Sequence, residues 1–311
     1  MLAVVLALGS SACYGVSNFI GPQLARRHTL VAVLAVSQLA ALLACALYLA
    51  GDGGPALPTT ALLLALLAGA GNAVGLIAFY RAAELGPLSV AAPIGALGAI
   101  VPVAWGLAGG DSLRAPQVVG IALAMAGGAL AARSPSEPLG RKQPARPAAH
   151  RRCPADAPRS GGSAGLGPVR TDACYTDPRA SVLWAAASAV AFGIFLTALP
   201  EASAEGQAWA LFDARVALVV LLAGWAGGRL RDLRLDRTVP ALAVPGLLLV
   251  AGTLLYITAA EHGQLSVISV LGSLFPVFTV ALGVGLLGER MSRAQAVGVA
   301  AAMSGVVLIA L

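Results

Sequence analysis

Apolar residues run along this chain in long blocks separated by short polar punctuation. A helix that crosses a bilayer needs about 20 predominantly apolar residues in a row. Ten blocks approach that length, with ends uncertain by several residues: 2–22, 30–50, 60–80, 86–108, 116–132, 180–200, 207–228, 238–260, 264–287 and 294–311. The connections are short and hold chain breakers, as in Gly51-Asp52-Gly53-Gly54-Pro55, Gly86-Pro87 and Gly109-Gly110-Asp111. The pattern predicts an all-α integral membrane fold of ten transmembrane helices, five on each side of a polar stretch.

That stretch, 133–179, is rich in Arg, Pro, Gly and Ser. It has too little apolar area to offset the entropy of ordering, so it reads as a disordered linker. A basic arm touching anionic headgroups is the other reading. The chain therefore divides into 1–132, 133–179 and 180–311. The first block has the length of a signal peptide, but no positive charge precedes it, and it is expected to stay as a helix.

The two five-helix halves echo each other. Glu84-Leu85-Gly86-Pro87-Leu88-Ser89-Val90 returns as Glu261-His262-Gly263-Gln264-Leu265-Ser266-Val267, 177 residues on. Ser11-Ala12 matches Ser188-Ala189, Gly75 matches Gly252 and Gly106 matches Gly283 at the same offset. One extra residue then moves the offset to 178, where Asp111 matches Glu289, Gly120 matches Gly298 and Gly127 matches Gly305. A fixed period sets architecture before any single residue does. Five helices per half is an odd number, so the second half enters from the opposite face. Two inverted repeats with a solute site between them is a common transporter plan.

Composition supports the membrane reading. Hydrophobic residues make up 58% and charged residues 11%, with a mean hydropathy of +0.84. Soluble domains carry roughly 25% charged residues. The net charge of +6 sits in loops, which argues against nucleic-acid binding. Of the 20 basic residues, 18 fall on the side of the linker, one (Arg114) falls on the other side and one (Arg215) lies inside a block. Basic loops stay cytoplasmic, so the linker is expected inside and both termini outside, in a bacterial-type plasma membrane. Cys13 and Cys45 lie in apolar blocks, and Cys153 and Cys174 lie in the linker. His150 with Cys153 has no second ligand pair, so no metal and no cofactor is expected.

Gly288-Glu289-Arg290-Met291-Ser292-Arg293-Ala294-Gln295-Ala296-Val297-Gly298, followed by Gly305-Val306, resembles the end of each half in the drug/metabolite transporter superfamily, EamA type. Ala259-Ala260-Glu261, Leu265-Ser266-Val267 and Ser273-Leu274-Phe275-Pro276-Val277 resemble the eighth-to-ninth helix segment of that family. The first half carries weaker versions, Gly110-Asp111 and Pro102-Val103. The resemblance implies a ten-helix exporter or exchanger of a small metabolite, such as an amino acid or drug-like compound. Members are usually drawn with cytoplasmic termini, opposite to the charge count, and the linker here is unusually long.

Polar groups inside the blocks are the candidates for chemistry. Arg215 leads, since an Arg at a helix centre costs about 2.5–3.5 kcal/mol on insertion scales and should face a wet cavity or a partner. Asp213 lies two residues away and projects elsewhere on the helix. The repeat pairs Gln38 with Arg215, Asn18 with Phe195, Asn72 with Leu249 and Tyr14 with Ala191. Tyr14, Asn18, Gln38, Asn72, Tyr80, Trp209, Asp213, Arg215 and Tyr256 are the expected lining of a cavity for a small polar or zwitterionic solute. Each of them also reads as a satisfied contact within the bundle. The glycines of the fifth and tenth blocks suit close packing, internal or across a homodimer. A membrane scaffold or lipid-handling protein is the alternative function. A membrane enzyme is disfavoured because His28, His150 and His262 all lie in loops.

Overall fold

The computed structural model describes residues 1–25, 30–52, 54–85, 94–95, 97–131, 178–227, 239–287 and 292–310. The linker, apart from 178–179, lies outside these residues, as do His150, Cys153 and Cys174. All regular structure among the described residues is helical. In chain order the helices are α1 (Leu2–Ala25), α2 (Leu30–Asp52), α3 (Thr59–Leu85), α4 (Ile100–Ala108), α5 (Ala115–Ala131), α6 (Pro178–Ser203), α7 (Gln207–Ala226), α8 (Val239–Glu261), α9 (Leu265–Gly272), α10 (Phe275–Leu287) and α11 (Arg293–Ala310). A 3-10 turn, Leu97–Ala99, leads into α4.

By length and composition, α1, α2, α3, α6, α7, α8 and the α9–α10 unit can each cross a membrane. The Leu97–Ala108 segment, α5 and α11 are apolar but shorter. Lipid favours helices, because every backbone N–H and C=O must be satisfied within its own segment. The outer surface is apolar. Leu39, Leu43 and Leu47 recur every four residues on α2 and are 55%, 61% and 66% exposed, while Ala41 and Cys45 are buried behind them.

The ninth expected helix, 264–287, is not continuous. It is cut at Ser273–Leu274 into α9 and α10. Pro276 explains the cut. Proline has no N–H to bond the carbonyl four residues back, at Gly272, and its ring clashes there, so the α9 ladder stops and Pro276 sits in the first turn of α10, where no N–H is needed. The carbonyls left at the end of α9 are taken up by tight turns, with Ser273 N–H donating to Ser269 O (3.0 Å) and Leu274 N–H donating to Leu271 O (3.3 Å).

The most extensive contacts join a helix of the first half to one of the second. α3 packs on α6, α8 on α1, α5 on α11, and α7 touches both α2 and α3. The halves are thus interleaved rather than set side by side. Small residues make this possible. A β-carbon at Gly69 would strike Ala214 O, and one at Gly246 would strike Ser37 O. On α5 and α11 the glycines face each other: Gly120 lies against Gly305 O, and Gly127 against Gly298 O.

Candidate functional site

Arg215 is the ninth residue of α7, about 12 Å along the helix from its start at 1.5 Å per residue. Gln38 occupies the same depth in α2. The Arg215 Nη1 donates to Gln38 Oε1 at 2.9 Å, and the two residues are 177 apart. Both are buried, at 5% and 6% exposure. The Cys45 thiol, also buried, faces the same guanidinium. Among the described residues no carboxylate pairs with Arg215.

Beside this contact lies a narrow crevice with about 10 Å³ of free volume, roughly the room one water molecule needs. Ligand pockets usually run to roughly 300–1,000 Å³, so the crevice is contracted. Asn72 of α3, Phe195 and Leu199 of α6, Leu211 of α7 and Thr253 of α8 line it together with Arg215. Thr253 Oγ1 donates to Leu249 O at 2.7 Å. Its proton being used there, Thr253 accepts from the Tyr14 hydroxyl at 2.9 Å. Tyr14 therefore stands at the edge of the crevice.

The expected site residues divide. Gln38, Asn72 and Arg215 come together, with Tyr14 joined through Thr253. Asp213 is half-buried on another side of α7 and has no hydrogen bond or ion pair among the described residues. Trp209 sits near the start of α7, where its Nε1 donates to Gly54 O at 3.0 Å and its ring meets Phe212 edge-on. Tyr80 stacks edge-on against Phe79 towards the far end of α3. Tyr256 is fully buried, and its hydroxyl donates to Leu196 O at 2.8 Å.

Asn18 is exposed on α1 and does not line the crevice. The cause is a one-residue error in matching α1 to α6. Gly15 packs on Phe275 and Phe278, whereas Gly193 packs on Gly98 and Val101. Those neighbours match at an offset of 177, but the glycines match at 178. Ser17 is then the counterpart of Phe195, and Tyr14 that of Phe192 rather than Ala191. Ser17 is buried and donates to Pro245 O at 3.0 Å.

A second polar cluster lies at one end of the bundle. The α4–α5 turn brings Asp111 to the start of α9, where its Oδ2 accepts from the Ser266 N–H (3.1 Å) and the Ser266 hydroxyl (2.6 Å). A carboxylate at a helix N-terminus satisfies an orphan N–H and meets the positive end of the helix dipole. The turn depends on Gly110, whose φ of 101° suits only glycine. Gly106 leaves the room, since a β-carbon there would meet Asp111 Oδ2 and Ser266 N. Gln264 Nε2 donates to Ser112 O at 3.0 Å, and Trp105 Nε1 donates to Glu201 Oε1 at 3.0 Å on the same end.

Apolar helices packed through glycine, an apolar outer face and polar groups turned inward define a multi-pass helical membrane protein. Residues 179–311 match the model of the EamA-like transporter family. The second half of the chain is thus similar to the EamA-like transporter family, which is part of the drug/metabolite transporter superfamily. Members of the family are membrane transporters. No curated protein matches the chain. A solved structure titled only "Crystal structure of protein" is similar over 98% of this chain and 95% of that one, with a TM-score of 0.66 and 16% identity. At that identity the likeness concerns the fold alone.

Proposed function

We propose that the protein is a secondary transporter of a small organic solute, working by alternating access between two inverted five-helix repeats in which the three shorter helices also cross the membrane. The contact between Gln38 and Arg215 carries this reading. Residues at equivalent positions of two repeats touch only where a two-fold axis runs between them, and here that point lies at mid-depth beside a crevice. Other contacts exchange in the same way: Gly69 with Ala214 and Gly246 with Ser37, then Gly95 with Phe79 and Gly272 with Tyr256. Near-equivalent halves have two near-equivalent packings. In one, the Asp111 end is shut; in the other, it opens and the opposite end shuts. The contracted crevice belongs to a state with its Asp111 end closed.

Purified full-length protein in liposomes should show saturable counterflow of its solute. Arg215→Ala should lower the exchange rate at least tenfold while the protein still elutes as a single species. Unchanged exchange would remove Arg215 from the site. The orientation that accompanies this reading has the linker inside and residue 311 outside, and a reporter fused after residue 311 that reads cytoplasmic would reverse it. A homodimer through α5 and α11 would use their outer faces, with exposed Val118, Val119, Val297, Met303 and Val307, because their glycine faces are already occupied.

A further inference from the structure

The crevice is one-sided in charge. Arg215 brings a cation with five N–H donors in a planar fork, and one of those donors is bonded to the neutral Gln38 oxygen. Nothing acidic lines the crevice. Asp213, the nearest acid in sequence, is not part of the lining. A guanidinium buried in an apolar bundle is normally paired with a carboxylate or set in water, and here the protein supplies no such counter-ion among the described residues.

Resting on the transport reading of this crevice, we propose that the solute itself is the counter-ion: a small organic monoanion, its carboxylate held by the Arg215 fork and its apolar body against Phe195, Leu199 and Leu211. Guanidinium and carboxylate match geometrically as a bidentate pair. Asn72 and the Tyr14–Thr253 hydroxyl pair supply neutral polar groups near the same space. A zwitterion or an amine would bring an ammonium group into a space with no acid to receive it, and would set that group beside Arg215. The geometry thereby narrows the expected solute away from amino acids and towards simple acids.

The test compares each acid with its own amide on the intact protein. Thermal unfolding in detergent is followed with acetate, isobutyrate and benzoate, the three matching amides, benzylamine and phenylalanine. Flux in liposomes is followed with benzenesulfonate, which does not cross lipid unaided. At least one acid should raise the unfolding midpoint while its amide, the amine and phenylalanine do not. Arg215→Lys should weaken that response and Arg215→Gln should erase it. The inference falls if no acid in the series exceeds its amide, if phenylalanine or the amine matches the acids, or if Arg215→Gln keeps the preference for acids. The wild-type comparison decides even where a variant fails to assemble. Counterflow that ignores charge would overturn the anion and leave transport standing. Stabilisation by acids alone, without exchange of the sulfonate or any acid, would do the reverse.

Discussion

Gly127→Leu should abolish assembly, leaving the protein aggregated or unable to hold α5 against α11. The glycine sits where two helix backbones meet directly. A β-carbon there would lie 2.6 Å from Gly298 O and closer still to Ala302 N. Both obstacles are backbone, which cannot swing aside as a side chain can. Leucine adds three more carbons to the collision. The helices would have to separate, and separation also removes the neighbouring close contact, Gly120 against Gly305 O. In lipid this loss is severe. Helices there are held by dispersion at short range and not by the expulsion of water. Overpacking a well-filled soluble core costs about 1–3 kcal/mol, and a backbone collision at a shared interface should exceed that. Gly224→Leu is the matched control, since a β-carbon there meets nothing within 4 Å. Size-exclusion profiles in mild detergent separate the outcomes. A single sharp wild-type-like peak for Gly127→Leu would show that α5 and α11 do not need this approach.

Much of the bundle is legible in the sequence because lipid imposes a crude rule, an unbroken apolar run, and the runs are plain. The rule fails where a turn is itself apolar. Ser273–Leu274 cuts the ninth run without changing its hydropathy, and only Phe275-Pro276 hints at it. The contact between Gln38 and Arg215 at the candidate site is legible because the repeat offset of 177 residues pairs these two positions along the chain. Thr253 and Cys45 escape notice, since a hydroxyl or a thiol in an apolar helix looks like packing. Tyr80, Trp209 and Tyr256 err the other way. A phenol or indole in a helix looks like a cavity group, yet Trp209 and Tyr256 donate to the backbone carbonyls of Gly54 and Leu196, and Tyr80 stacks on Phe79. Asn18 differs from its expected place by a single residue of register, which on a helix turns a side chain by about 100°. Asp111 is visible in the sequence only as the counterpart of Glu289. Its work at Ser266 depends on a turn that brings together segments 155 residues apart.

On the proposed alternating-access mechanism, Asp111→Ala should open the end of the bundle where Asp111 meets Ser266. Two hydrogen bonds to a carboxylate are lost, from the Ser266 N–H and hydroxyl. Hydrogen bonds to a charged group contribute about 1.5–3 kcal/mol. Nothing in the interchange of the two halves requires the open state to lose an equal interaction. The difference therefore appears in the populations, where about 1.4 kcal/mol is a tenfold change. Cys45 is a built-in reporter for this opening. It is fully buried beside Arg215. In a background with Cys13, Cys153 and Cys174 changed to serine, a membrane-impermeant maleimide reaches Cys45 only through an open end. Added to the Asp111 face, it should modify Cys45 about tenfold faster or more in Asp111→Ala than in the parent. Added to the opposite face, it should react more slowly, because population gained by one state is lost by the other. Glu201→Gln is the control, its contact with Trp105 Nε1 being on the same end but exposed. Its effect should be small, since an exposed bond competes with water. Equal labelling of parent and Asp111→Ala from both faces would mean that the Asp111 contact shapes the turn and does not hold the end closed.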